Sequence, residues 1–288
     1  MSGASWPPGR VLPVTPAPVF EAVIAGTQLQ TRETHRGYRP GGSKDWLCIA
    51  TLDGQGYVRA GQEIVTLTRG DMLLFSPHTP QEYGYLGEDI PWSNLWVHFQ
   101  PRPHWIPWLV WPQRAKGIML LDVRSCVDLI EDGLQRLIDA QNRPTRRRHD
   151  KALNALELVL MICDEINPLH QVAPVDQRIQ KALDIVGRRL AEPLNVNALA
   201  RAVGLSRSRF SVLFAEQTNL SPQAYIEFVR LNRAAQLLRM SSWPIGQIAG
   251  DVGFSNPYYF STRFKAYHGL SPSDYRDLPD AGSETGTR

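Results

Sequence analysis

The 288-residue chain has little cysteine, and its three thiols, Cys48, Cys126 and Cys163, stand far apart with no Cys-x-x-Cys spacing. That scatter excludes a disulfide framework or a zinc knuckle and leaves buried, reduced thiols as the expectation. No apolar run is long enough to cross a bilayer, and residues 1–10 lack the basic-then-apolar order of a secretory leader. A cytoplasmic location with no membrane partner is therefore expected. Histidine is scarce too, with seven residues and no His-x-His pair. A metal site needs converging imidazoles and carboxylates, so neither a metal nor another cofactor is expected. A large excess of charge of one sign is also missing, with 31 Lys and Arg against 28 Asp and Glu.

That near-balance is unevenly distributed. Residues 176–278 hold 13 basic against 8 acidic side chains, whereas residues 1–175 hold 17 against 18. Any phosphate-binding surface belongs to the C-terminal part. The length favours two domains, and the 43% hydrophobic content suits folded cores.

What is abundant is an internal repeat. Ala200, Val203, Gly204, Leu205, Ser206, Phe210, Phe214, Leu220-Ser221-Pro222 and Tyr225 recur about fifty residues later. The second copy reads Ala249, Val252, Gly253, Phe254, Ser255, Phe260, Phe264, Leu270-Ser271-Pro272 and Tyr275, with one extra residue in the turn. Each copy has the physics of a helix-turn-helix. Asn195 and Ser206 are placed to cap two short helices in the first, with Gly204 where a left-handed turn residue is needed. In the second, Pro244 opens the first helix, Gly253 closes it, and Asn256-Pro257 caps and starts the next. Ser221-Pro222 opens a joining helix to about Arg239, which could set two helices in successive major grooves.

Through these motifs, over roughly residues 175–277, the chain resembles the AraC/XylS family of bacterial transcription regulators. The resemblance implies an all-α DNA-binding domain of two helix-turn-helix units joined by one helix. In the helix after Ser206, Phe210, Leu213 and Phe214 share the buried arc, leaving Ser208, Ser211 and Val212 for base edges and Arg207 and Arg209 for phosphates. In the second unit Asn256, Tyr258, Ser261, Thr262 and Lys265 point outward by the same reasoning, with Arg263 on the core edge and its head reaching out. Double-stranded promoter DNA is the expected partner, with RNA polymerase as a second.

Upstream, residues 1–19 are rich in proline and read as an extended arm. Residues 20–166 begin with short strands, Trp46–Leu52, Gly56–Ala60, Glu63–Leu67, Met72–Ser76 and Ser93–Phe99, punctuated by Asp53-Gly54, Ala60-Gly61 and Arg69-Gly70-Asp71. Gly70-Asp71 followed by Pro77 resembles the second half of a cupin, a double-sheet jelly roll. Tryptophans at 105, 108 and 111 make a stripe expected to pack on the barrel, and two amphipathic helices follow. These helices, near 127–165, are the expected homodimer interface, where Leu156→Asp or Leu160→Asp would give folded monomers. Residues 167–175 read as a linker and 279–288 as a disordered tail. The fold class is thus α+β in two domains, a cupin-like barrel with two appended helices and, at 176–278, the helix-turn-helix domain.

The resemblance extends into the barrel through Gly54-Gln55-Gly56, Gly70 to Phe75, Tyr83-Gly84 and Trp96 to Trp105, and is nearest to arabinose-responsive members of the family. It implies a small sugar inside the barrel, covered by the arm. Trp96 matches the family's stacking tryptophan, Arg39 its sugar-binding arginine and Tyr83 its pocket tyrosine, with Phe20 and Thr27 as approximate matches. Asn94 departs from the pattern, standing where arabinose-responsive members have histidine, which leaves the sugar's identity open. Two other readings stay open. The barrel could take a non-sugar effector or serve only dimerisation, and a cupin-type metalloenzyme could be carried on a DNA-binding domain. The regulator reading expects no enzymatic activity.

Overall fold

The structure, a computed structural model, describes residues 23–31, 36–87, 90–143, 145, 147–172 and 176–278. The proline-rich arm, Phe20 and the tail lie outside the described residues. Among the described residues, ten strands form two facing sheets. The larger sheet has the order β1 (Val23–Gln30), β8 (Trp92–Phe99), β3 (Trp46–Asp53), β6 (Asp71–Phe75), β10 (Ile118–Asp122), β9 (Gln113–Ala115). The smaller has β2 (Gly37–Arg39), β7 (Gln81–Tyr85), β4 (Gly56–Ala60), β5 (Glu63–Leu67). Every pairing is antiparallel.

Alternation along the strands sorts the side chains into two cores. Leu47, Ile49, Leu73, Phe75 and Trp92 point between the sheets and meet Val58, Leu67 and Tyr83 from the smaller sheet. The opposite face of the larger sheet carries Trp46, Cys48, Met72, Leu74, Leu95 and Val97 against two helices, α1 (Val127–Asn142) and α2 (Arg148–Ile166). Cys48 and Cys163 are buried there, and loss of hydration pushes both thiols well above their ordinary range. Leu156 and Leu160 are fully buried in this core. The expectation that Asp at either position would give a folded monomer is therefore corrected, because a carboxylate there would be buried without a partner.

The tryptophan stripe forms a 3-10 helix, Pro103–Leu109, in which Trp105 is fully buried; beyond it Trp111 is equally buried and donates from Nε1 to the Trp108 carbonyl at 2.9 Å. This segment does more than cover the barrel. It joins the outer barrel core to the first half of the C-terminal domain.

That domain contains α4 (Gln177–Arg188), α5 (Val196–Ala202), α6 (Arg207–Thr218), α7 (Pro222–Met240), α8 (Ile245–Asp251), α9 (Pro257–His268) and α10 (Pro272–Arg276). A short helix at Pro168–Val172, which we number α3, occupies the stretch that reads as a linker. The sequence signals act as caps. Asn195 Oδ1 accepts from the Ala198 amide at 2.8 Å, Ser206 Oγ from Arg209 at 3.3 Å, and Asn256 Oδ1 from Tyr258 and Tyr259 at 2.9 and 3.1 Å. Each such cap contributes about 1 kcal/mol. Gly253, at φ +86°, closes α8 where a Cβ would strike the Leu190 carbonyl oxygen and the Arg230 guanidinium. Only glycine fits that turn.

Candidate nucleic-acid interface and barrel pocket

The two helix-turn-helix units present corresponding surfaces. Phe210 and Phe214 of α6, and Phe260 and Phe264 of α9, are fully buried and fix the rotation of each helix about its axis. The remaining arcs face out. Arg207, Ser208 and Arg209 are exposed at the start of α6, as are Asn256 and Tyr258 at the start of α9, where Tyr258 reaches 87% exposure. Ser211 and Ser261 are half-buried, and Thr262 and Lys265 are exposed. These N-terminal ends are the parts of a recognition helix that reach base edges. Between the units, α7 spans 19 residues, about 28 Å of stiff spacer.

Three details depart from the sequence reading. Val212 is 49% exposed and borders a groove shared with Val110, Trp111, Pro112 and Gln113 of the N-terminal domain, so it lies at the margin of the outward arc. Arg263, expected to extend its head outward, turns back onto Glu227, with Nη2 donating to Oε2 at 2.9 Å. Tyr259, absent from the sequence-based set, is 57% exposed beside Tyr258, at the position that the exposed Arg209 holds in α6.

In the barrel, register decides which residues meet. Residues directly opposed in an antiparallel pair put their side chains on the same face. Gly26 pairs with Trp96, Gln28 with Asn94 and Gln30 with Trp92, all on the inward face. The Trp96 ring lies against Gly26, where a Cβ would come within 2.8 Å of it. Across the barrel, Arg39, only 7% exposed, donates from Nη1 to Gln81 Oε1 at 2.8 Å and to Tyr83 Oη at 3.2 Å. Gln81 in turn donates from Nε2 to Ser43 Oγ at 3.0 Å. Arg39, Tyr83, Asn94 and Trp96 thus share one interior. Thr27 does not join them. It pairs with Leu95, is exposed, and belongs to the other face of β1, so Gln28 takes the inward position beside it.

Gln28, Gln30, Ser43 and Gln81 are pocket residues that the sequence motifs did not mark. Among the described residues, Gln30 is 1% exposed with neither amide atom partnered, and Asn94, at 2%, has no partner for Nδ2. Unpaired buried amides cost about 1–3 kcal/mol each, so their concentration on neighbouring register positions points to a polar occupant. A β1 pattern alternating from Gly26 through Gln28 to Gln30 was the available signal.

Two helix-turn-helix units on a common helix, linked to a polar-lined barrel, define a DNA-binding regulator with a ligand-binding domain. Comparison with known proteins narrows the class. Residues 199–277 match the helix-turn-helix domain family and residues 29–158 the AraC-like ligand binding domain family. The chain is 35% identical over 244 residues to the arabinose operon regulatory protein of Escherichia coli (strain K12), spanning 83% of this chain and 82% of that one. It is 31% identical over 246 residues to the arabinose operon regulatory protein of Salmonella typhimurium, spanning 83% and 85%. It is 33% identical over 242 residues to the lactose operon transcription activator of Staphylococcus xylosus, spanning 81% and 84%. The chain belongs to the AraC family of DNA-binding transcription regulators. Among the described residues, no helix is long and apolar enough to cross a membrane.

Proposed function

We propose that this regulator is gated by a small neutral sugar held between the two sheets, in a domain spanning residues 20–166. The observation that carries the reading is the inward set itself. Trp96 offers an apolar ring for sugar C–H bonds, Arg39 and Tyr83 face it as hydroxyl partners, and the Gln28, Gln30 and Asn94 amides can each donate and accept. Carboxylates, which a cationic ligand would need, are absent from this set. Relatives named for arabinose and lactose operons favour the same class of effector. Phe20 and the arm at residues 1–19 are proposed to close over the bound sugar and so change how the DNA-binding domains are placed.

The protein acts as a homodimer in this reading. Leu129, Leu158 and Met161, 60, 53 and 43% exposed, form the outward apolar side of α1 and α2 and replace Leu156 and Leu160 as its contacts. Promoter DNA is bound through residues 176–278, with 167–175 as the connection, and RNA polymerase is the further partner of a cytoplasmic activator without enzymatic activity.

A thermal-shift series with L-arabinose, D-galactose and other pentoses and hexoses tests the effector. A sugar at about 100 times its dissociation constant stabilises the protein by roughly 2.7 kcal/mol. Trp96→Ala should remove that shift and the inducer response of a reporter while leaving promoter affinity unchanged. A Trp96→Ala protein that still responded fully would overturn the pocket assignment.

A further inference from the structure

Both recognition helices turn their C-terminal ends toward the barrel, through different positions of the repeat. In the first unit Asn219, the left-handed residue after α6, donates from Nδ2 to the Leu109 carbonyl at 3.5 Å, and Tyr225 Oη donates to the Pro103 carbonyl at 3.3 Å. Phe210, Phe214, Tyr225 and Phe228 belong to the same continuous apolar core as the outer barrel face. The second unit is built differently. Its core, Leu231, Ala234, Leu238, Ile248, Val252, Phe260 and Phe264, is a separate cluster. Tyr267, at the end of α9, packs at the edge of both clusters and donates from Oη to Gln100 Oε1 at 2.6 Å.

Gln100 is not an isolated acceptor. Its Nε2 donates to the Lys44 carbonyl at 3.3 Å, within the turn from Ser43 to Asp45. Ser43 accepts from Gln81, the partner of Arg39, and donates to the Asp45 carbonyl at 3.2 Å. Asp45 Oδ1 is 3.0 Å from His98 Nδ1, and the His98 ring stands edge-on to Trp96 with centroids 5.9 Å apart. Both walls of the barrel pocket therefore end on one three-residue turn, and that turn holds the acceptor of Tyr267.

We propose that Tyr267 and Gln100 form a latch between the second helix-turn-helix unit and the barrel, and that the Ser43–Asp45 turn sets its strength from the pocket. The first unit shares its core with the barrel and stays fixed to it. The second, with its own core, exchanges between a latched and a released position, and the turn biases that equilibrium. Burial raises the phenol's affinity for its proton, so Tyr267 remains a neutral donor throughout the physiological pH range. The Asn232 side chain lies beside the same phenol and supplies an alternative partner on release.

The latch rests on the effector reading only for what occupies the pocket, and its test contains no effector. Hydrogen exchange on the full chain is compared for wild type, Tyr267→Phe, Gln100→Leu, the double variant and Ser43→Ala. Tyr267→Phe and Gln100→Leu should each speed exchange in α8 to α10 by about five-fold, with α5 and α6 unchanged, as expected for loss of one hydrogen bond. The double variant should add nothing to either single change. Ser43→Ala, in the barrel, should speed the same α8–α10 segment by about two-fold or more. Unchanged α8–α10 exchange in Ser43→Ala, additive single variants, or equal acceleration of both units would overturn the proposal. A failure of every sugar to bind would instead overturn the effector reading and leave the latch standing.

Discussion

The two helix-turn-helix units share a spacing but rest on different foundations. In the first, Phe210 and Phe214 are part of the core that runs through the tryptophan segment into the barrel. In the second, Phe260 and Phe264 close a core of their own. Equivalent buried positions differ in the same sense. Thr218 satisfies itself by donating to the Phe214 carbonyl at 2.7 Å, whereas the second unit places His268 there, 4.3 Å between ring centroids from Phe264. Repetition of a motif therefore does not imply repetition of its mechanics. One unit shares its core with the ligand-binding body, and the other closes a core of its own.

Deleting the matching phenylalanines should break the equivalence most strongly. Phe214→Ala and Phe264→Ala should each cost about 3–5 kcal/mol, the usual loss for a buried aromatic. The consequences should differ in extent. Phe264→Ala should remove exchange protection from α8 to α10 while the barrel melts at its wild-type temperature. Phe214→Ala should lower the barrel's own transition, because the core is shared. A Phe214→Ala protein with an unaltered barrel transition would show that the continuous core carries no energetic coupling.

Acid should separate the units next. Burial lowers the pKa of His268 to about 4, against 6.5 for the free side chain, even though the Leu231 carbonyl 3.3 Å from Nε2 favours the charged form. The neutral form is the folded one, so this contribution is complete above pH 6.5 and is lost as pH falls from 6.5 through about 4. The loss is on the order of 3 kcal/mol. The second unit should therefore open first on acidification, followed by exchange or near-ultraviolet dichroism of its tyrosines. His268→Thr, which copies the first unit, should flatten that pH slope whatever its effect on absolute stability.

How far the sequence revealed these features depended on whether the signal was local. Caps and turns are local, so Asn195, Gly204, Ser206, Gly253 and Asn256 could be assigned their roles directly. Strands β3 to β6 and β8 were marked by apolar runs between glycine turns. Strand β7, Gln-Glu-Tyr-Gly-Tyr, is polar and short, and β1 loses its apolar rhythm at Gly26, so neither was legible. The pocket depended on both. Only the pairing of β1 with β8 places Gln28 and Gln30 inside and Thr27 outside. Helix α2 is apolar around most of its circumference, so the choice between Leu156 and Leu158 as the outward residue had to come from packing.

Base readout should sharpen the comparison at smaller cost. The first unit offers Ser208 and Ser211 where the second offers Tyr258 and Ser261. Val212 corresponds to Thr262, whose Oγ1 already donates to the Tyr258 carbonyl at 3.0 Å. Thr262 can therefore only accept from a base, which favours adenine N6 or cytosine N4. Ser208→Ala and Thr262→Ala should each shift preference at one base pair, in different half-sites, by about 1–3 kcal/mol. Selection from a randomised promoter library measures both. A single variant altering both half-sites would mean that the two helices do not read separate grooves.

The smallest effect should come from Lys265, where the first unit has Ala215. Ala215 borders the groove against the N-terminal domain, so a charge there would face protein, whereas Lys265 is exposed and its ammonium is available to a phosphate. A phosphate contact carries no sequence information, but it releases counterions when it forms. Lys265→Ala should weaken binding to all sequences alike and lower the slope of log affinity against log salt by about 1. Titrations of promoter and random DNA at several salt concentrations measure that slope. Changed base preference with an unchanged salt slope would move Lys265 to the base-reading face of α9 and rotate the second helix in its groove relative to the first.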